Sequence, residues 1–477
     1  MTDTPDTSDW TRRRALGALG SALAVGLAGC TGSGDGTTST TGGGTTRSPG
    51  FVSPETTAES PGSGDDGDSG DGRPTATARN PKPLDVAGAW RQVGGDPGHT
   101  GVTGASGVPA DGQVYWRIRR VRSGPAVLGK RRLFHYAKLG TDRGGRPTVT
   151  RTREPDAGTA HPVYGDPHLV ARDAADGTIE WAAPVPTESR SWPAVAGDRV
   201  VSAVSGRIAA HDRASGNSLW TVDLGEKDAG VPAVVGETVV VPVQGVVDGD
   251  TDVQTPSIRA LELGSGDERW AVEPPKRGNA VAITGDTVVV LSYDYDQRGT
   301  LLGLAVADGS ERWRATVPGG FFNLPVVAGG TVYVTSANNT VHAISAADGD
   351  EVWSRHVGGQ PARPAATAET VYVAVDNRVL ALDTRAGDRR WRVTLGADEY
   401  PAAIAVGSDT IYAGMEGVQA PIYALARRDG TERWRHTFPN KTVEGDMVKS
   451  GVAAQPAVAD GALYVFAVDG LYAFGPA

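Results

Sequence analysis

A Gly followed four positions later by a Trp recurs along this chain at Gly112/Trp116, Gly177/Trp181, Gly216/Trp220, Gly266/Trp270, Gly309/Trp313, Gly349/Trp353, Gly387/Trp391 and Gly430/Trp434. Most intervals fall between 38 and 50 residues, and a fixed offset kept over that distance is the mark of a repeat architecture. From the second instance onward an apolar residue stands eight positions before the Gly: Leu169, Ile208, Ile258, Leu301, Val341, Val379 and Ile422. Six positions before it the residue is small: Ala171, Ala210, Ala260, Gly303, Ala343, Ala381 and Ala424. Apolar alternation on both sides of a short polar turn such as "AADG" or "RASG" predicts a β-hairpin with the Trp on its second strand.

Two further strands precede each hairpin, as in "PAVAGDRVVSAV", "PVVAGGTVYVTS" and "PAVADGALYVFA". Their Val-rich runs suit strands buried on both faces. Four short antiparallel strands about every 40 residues describe a propeller blade, and no segment has the 3.6-residue apolar period of a helical solenoid. The predicted fold is all-β: an eight-bladed β-propeller of four-stranded antiparallel blades, built from residues 85–477. The last unit, "AAQPAVADGALYVFAVDGLYAFGPA", supplies three strands with no Gly-x-x-x-Trp after them, while "DGQVYWRIRR" at 111–120 is a fourth strand with no blade in front. Gln113–Ile118 is therefore expected to pair with Leu471–Phe474 and close the ring, which hides edges that would otherwise aggregate.

The combined pattern Ala-x-Asp-x-x-x-Gly-x-x-x-Trp, seen at Ala171/Asp173/Gly177/Trp181, Ala210/Asp212/Gly216/Trp220 and Ala381/Asp383/Gly387/Trp391, resembles the docking motif of the pyrroloquinoline-quinone (PQQ) repeat family. The resemblance covers 111–475. It implies that Trp116, Trp181, Trp220, Trp270, Trp313, Trp353, Trp391 and Trp434 each pack across a blade joint against the small residue of the next blade. Other units depart at the Asp position, with Glu262, Ala305, Ser345 and Ala426, which loosens the hydrogen bonding there but not the packing. The family holds both quinoprotein dehydrogenases and non-enzymatic, BamB-like lipoprotein propellers, so the fold does not choose between them. The dehydrogenases resembled imply PQQ with calcium, an adjacent Cys pair and a catalytic Asp. This chain has one Cys, Cys30, and near-minimal blades; Trp192 is the one Trp in the repeats away from the docking position, and it could either stack on a flat ring or cap an innermost strand. "AWRQVGGDPGHTG" at 89–101 resembles the lead-in of the lipoprotein group. No catalytic residue, cofactor or metal is expected on that reading.

The N-terminus agrees with it. "TRRRALGALGSALAVGLAGC" has an Arg run, 14 apolar or small residues and then Cys30. Spanning a bilayer takes ~20 residues, so 1–29 reads as an export signal. Arg12-Arg13 resembles a twin-arginine signal, with Ala15 where that pattern usually has Phe, and Leu-Ala-Gly-Cys resembles a lipobox that would lipidate Cys30; an uncleaved anchor is the alternative. Residues 30–84, rich in Thr, Ser, Gly and Asp, read as a disordered tether about 40 Å in r.m.s. reach. The expected location is the outer face of the cytoplasmic membrane. Lys is scarce, 7 of the 46 basic residues, and the bias resembles that of halophilic archaea, which have no outer membrane. Residues 31–80 hold seven acids against three Arg, which leaves the remainder of the net −10 spread over a surface of mixed sign. That excludes a nucleic-acid groove.

Insertions mark the face where binding is expected. Strand direction reverses at each step, so the second-to-third connections and the interblade links emerge together. The long ones are 137–165, 244–256, 293–299 and 438–452. Long loops are the usual carriers of function, and here they hold Arg151, Arg153 and His161, then Asp248, Asp250 and Asp252, then Asp294 and Asp296. The Asp248 trio fails as an EF-hand loop, because Val253 and Arg259 stand where Gly and the bidentate Glu are required. His161 and His168, seven apart, do not make a zinc site without further ligands. These residues point to protein or glycan partners of a monomeric propeller.

Overall fold

A computed structural model describes residues 90–108, 111–119, 125–141, 147–148, 165–187, 191–244, 247–248, 252–253, 255–275, 278–293, 298–320, 323–396, 400–443 and 447–476. Of the chain's two compact units, Val25–Arg73 lies outside these residues, and the description that follows concerns the other. Eight four-stranded antiparallel sheets follow one another as blades, and among the described residues there is no α-helix. Blades 1 to 7 occupy 127–184, 194–223, 233–272, 278–318, 326–356, 365–394 and 400–437. Blade 8 is composite: its order from the rim inward is Gln113–Arg119, Gly470–Gly475, Ala462–Ala467 and Ala457–Ala459. The closing strand therefore comes from the front of the chain, as its lone Gly/Trp spacing predicts, with Trp116 opposite Ala473 and Ile118 opposite Leu471.

The burial of each strand follows its sequence. Second strands such as Thr370–Val375 ("TVYVAV") and Ala462–Ala467 ("ALYVFA") are buried at every position, as strands sandwiched between neighbouring sheets must be. Outer strands such as Ser218–Asp223 and Glu351–His356 are exposed except at the Trp and alternate positions. The core is thus a set of interblade layers, each sealed at the rim by one indole.

The two faces of the disc are defined by backbone hydrogen bonds. On one, called here the link face, second-to-third turns meet interblade links, as in Leu224 N–H to Gly206 O, Val357 N–H to Asn339 O and Leu395 N–H to Asn377 O. On the other, the turn face, first-to-second turns meet third-to-fourth turns, as in Arg213 N–H to Asp198 O and Ala346 N–H to Gly330 O. The third-to-fourth turns carry the repeat's Gly at φ +69° to +82° in blades 1 to 7, with the Gly N–H donating to the carbonyl four residues back at 2.8–3.0 Å. That left-handed backbone is why Gly is required.

Each Trp lies against the turn Gly of the next blade. A Cβ at Gly216 would come within 2.6 Å of Trp181, one at Gly266 within 2.7 Å of Trp220, and one at Gly387 within 2.7 Å of Trp353. The last joint is made across the chain ends: a Cβ at Gly112 would come within 2.7 Å of Trp434. The small residue plays a different part from the one the family resemblance implies. It is the cross-strand partner of the Trp in its own blade, Ala171 opposite Trp181, Ala381 opposite Trp391 and Gly303 opposite Trp313, and it makes room beneath that indole.

Two outcomes test this packing. Gly216→Ala should destabilise by at least about 2 kcal/mol, from left-handed strain and overlap with Trp181, read as a shift in denaturant midpoint. Deleting 111–120 should lower the melting temperature by far more than any surface deletion; a shift of a degree or two would contradict closure by this strand.

Candidate functional site

Two regions can host function in a propeller: the axis and the faces. The axis is occupied by the lead-in segment. Residues 90–107 run around the turn-face end of the channel as a strap that meets the innermost strand of every blade in order. Trp90 exchanges two backbone bonds with Leu128 of blade 1, and Val195 of blade 2 donates to Arg91 O at 2.7 Å. At blade 3 the side chain of Gln92 takes over, accepting from Val234 N–H at 2.7 Å and donating to Val234 O at 2.9 Å. Ile283, Val327, Ala366 and Val406 then donate to Pro97, Gly98, Thr100 and Gly101 at 2.7–2.8 Å, and Gly107 N–H reaches Ala459 O of blade 8. A one-residue shift of the strap would unpair several of these buried groups together.

A polar cluster lies beneath it. The partly buried Arg363 donates to His99 O at 2.8 Å and to Gln455 Oε1 at 3.2 Å. Gln455 also accepts from Gly94 N–H and donates to Ile404 O. Asp96 caps the strap's own turn, taking the Thr100 hydroxyl at 2.5 Å and the Thr100 N–H at 3.1 Å. Burial pushes the Asp96 carboxyl up and lowers Arg363 to about 10, and it holds His99 neutral, with the Arg363 charge adding to the effect on His99. Further along the axis Trp192 is 7% exposed in one apolar cluster with Val127, Val231, Ala280 and Leu324, residues of four other blades or of the links that lead into them. The axis residues do not fit a quinone: Trp192 has no open face to stack on, and the Arg363 guanidinium is committed to the strap. Among the described residues no three His, Cys, Asp or Glu side chains approach as a metal-binding group.

Of the residues expected on the link face, Arg151, Arg153, His161, Asp250, Asp294 and Asp296 lie outside the described residues, as do Cys30, Arg12 and Arg13. Asp248 and Asp252 are described in backbone alone, as opposed positions of a small hairpin in the second-to-third connection of blade 3. His168 is partly buried, with Nδ1 2.7 Å from Asp166 O. The link after blade 7 forms a hairpin, Lys441–Val443 with Met447–Gly451, that pairs back onto Glu416 and Gly417 at the end of that blade's second strand. It is fixed there by the Lys449–Glu416 ion pair at 3.0 Å and by Ser450 Oγ accepting from Ala420 N–H. Two of the long connections thus rise where the alternation of strand direction puts them. The strap's anchors went unread in the sequence: Gln92, Arg363 and Gln455 have no periodic signal, and only the quoted lead-in pointed to this segment.

The BamB family description, outer membrane protein assembly factor BamB, matches residues 105–251, 254–410 and 376–475. The chain belongs to this family of PQQ-repeat propellers. It is 31% identical over 207 residues to the outer membrane protein assembly factor BamB of Xanthomonas campestris pv. campestris, covering 41% of this chain and 47% of that one. It is 28% identical over 167 residues to the quinohemoprotein alcohol dehydrogenase ADH-IIG of Pseudomonas putida, covering 30% and 23%. The chain thus spans about half or less of the length of these curated relatives. The computationally designed Ika8 protein shares the fold, with TM-score 0.56 at 13% identity, over 81% of this chain and 99% of the design.

The buried histidines give a test of the interior. His135, against Phe466 and bonded to the buried Arg172, is lowered to about 3 by burial and by the Arg172 charge. Burial likewise lowers His99, His211, His342 and His436. An unfolded imidazole titrates near 6.5, so below that pH the unfolded chain binds more protons and stability falls. Carboxylates held low, such as Asp286 at about 2, lose their contribution only below 3.8; Asp96 acts in the opposite direction, one group against five. The melting temperature should therefore be lower at pH 5 than at pH 7, and equal values would contradict the buried, neutral histidines.

Proposed function

We propose that this protein is a lipid-anchored, extracytoplasmic propeller that acts as a protein-binding scaffold through its link face, and that it is not an enzyme. The observation that carries the reading is the filled axis: the strap bonds to all eight blades, and Trp192 and Arg363 occupy the space below it. With the axis taken, the disc offers its faces, and the link face has the long, chemically varied connections.

Family membership supports the same reading, since the Xanthomonas relative is named as an assembly factor. The lipobox-like Leu-Ala-Gly-Cys30 and the polar tether supply the attachment: a diacylglyceryl Cys30 would hold the disc at the membrane surface, since one lipid chain alone anchors weakly. The repeat kinship with the dehydrogenase ADH-IIG leaves PQQ with calcium as the competing reading, which the axis residues do not favour.

Charge reversal separates the two readings. Asp248, Asp250 and Asp252 to Lys, or Arg151 and Arg153 to Glu, should change the set of proteins crosslinked to the intact cell-surface protein, while melting stays within about 1 °C, as surface substitutions usually do. An unchanged set would contradict the link-face assignment. Added PQQ and calcium should give neither a quinone absorbance change nor dye-linked oxidation of alcohols or sugars, and turnover would overturn the non-enzymatic reading.

A further inference from the structure

Eight joints built on one plan give an internal comparison. At seven of them the docking indole is at most 9% exposed, and its Nε1–H donates to a carbonyl of the next blade, or of the chain entering it. The acceptors are Ala174, Arg213, Leu263, Val306, Ala346, Thr384 and, for Trp434 at the closing joint, Val108, at 2.8–3.2 Å. The joint between blades 6 and 7 is different. Trp391 is partly exposed, and the carbonyl at its acceptor position, that of Arg427, does not receive its N–H.

The turn facing Trp391 is that of blade 7, "ARRDG". Three residues before the Gly, blades 1 and 3 to 6 place Ala, Leu, Val or Thr, blade 2 has Arg213 at a joint that stays closed, and blade 7 has Arg427, whose guanidinium crosses the joint beside Trp391. It donates to Tyr372 Oη and to Ser408 O, each at 3.0 Å. Tyr372 in turn lies 6.0 Å from the Trp391 ring. A cleft of about 360 Å³ opens on the turn face, where Trp391, Tyr372 and the guanidinium groups of Arg390, Arg427, Arg428 and Arg433 meet the carboxylates of Glu369 and Asp409. Arg390 is paired with Asp383 at 2.7 Å and Arg433 with Asp409 at 2.9 Å. The Arg428 pair with its neighbour Asp429 is on a side chain 88% exposed, where such a pair is worth little. Arg427 makes both of its hydrogen bonds to neutral oxygens.

The site therefore offers a guanidinium without a carboxylate partner, an indole N–H free to donate and a partly exposed indole. We propose that it binds a carboxylate-bearing sugar, a hexuronate residue of an acidic glycan. The carboxylate would accept from Arg427 and from the Trp391 N–H in charge-assisted bonds, with the Arg428 charge beside it, and the apolar C–H groups of the ring would lie against the exposed edge of the indole. Its volume is near the lower end of the ~300–1,000 Å³ of small-ligand sites, which suits one compact ring and not an extended peptide. The cleft is on the opposite face from the proposed protein-binding loops, so this inference does not depend on that reading.

The test is calorimetric titration of the full chain with trigalacturonate at low ionic strength, with maltotriose and a Glu-rich peptide as comparison ligands. Saturable binding of the uronate alone is expected, weakened by added salt because the contacts are charged. Arg427→Gln should weaken it by about tenfold or more, as loss of a charge-assisted bond does. That substitution also removes two hydrogen bonds from the joint, so Trp391→Phe and Arg428→Gln are measured beside it, with the melting temperature of each. Weaker binding in these two with unchanged melting supports the site. No saturable binding at millimolar uronate, equal binding by maltotriose, tighter binding by the peptide, or affinity unchanged in Trp391→Phe and Arg428→Gln would overturn it.

Discussion

The contact between an indole and the bare backbone of a left-handed glycine sets the geometry of this ring. A flat side chain of that size can reach the next blade only where no Cβ stands in its way, and the turn that presents such a backbone must itself hold positive φ. One residue type satisfies both demands, so the Gly and the Trp are tied at a fixed offset in every unit, and the indole N–H adds direction by finding a carbonyl three residues before the Gly at six of the eight joints. Because a blade exposes both sheet faces to its neighbours, this contact, made at seven joints by a left-handed Gly and at the closing joint by Gly112, both spaces the blades and seals the layer between them. Repetition also explains why the joint between blades 6 and 7 stands out: Trp391 is left partly exposed there while the blade pairing on either side is unchanged.

A ring of this kind has two weak places, the seam and the hole, and both are closed by the same stretch of chain. The outer strand Gln113–Arg119 completes blade 8, and the strap before it crosses the axis with a backbone bond or an amide side chain for each innermost strand. The strap has few apolar residues for its length, Trp90, Ala105 and Val108 being buried, and it holds its place by satisfying main-chain groups that the channel would leave unpaired. This filling of the axis is what separates the molecule from a ring with an open central site.

Much of this was legible in the sequence, for a physical reason. The Gly-x-x-x-Trp offset, the small residue opposite the Trp and the Val-rich second strands are local consequences of blade geometry, so they repeat and can be counted, and the lone unit at 111–120 with the Trp-less unit at the end identifies the seam. The strap is different. Gln92, Arg363 and Gln455 lie far apart in the chain and meet only because eight blades converge, and a contact made once leaves no period to read. The partner of the small residue was misassigned for a related reason: the spacing shows that Ala171 and Trp181 share a face but not whether the indole beneath belongs to the same blade or the previous one. The opened joint was visible only as the pair Arg427-Arg428, which in isolation is a solvated turn.

Hydrogen exchange at the axis tests the account most directly. The amides of Val195, Ile283, Val327, Ala366 and Val406 donate to the strap, so their exchange reports whether the strap is a fixed part of the ring. Protection equal to that of the fully buried second strands, lost together with them in a single global step, is the expected result. Rapid exchange at these five amides while the second strands stay protected would mean that the strap detaches from an intact ring, and the closed axis on which the functional reading rests would be wrong.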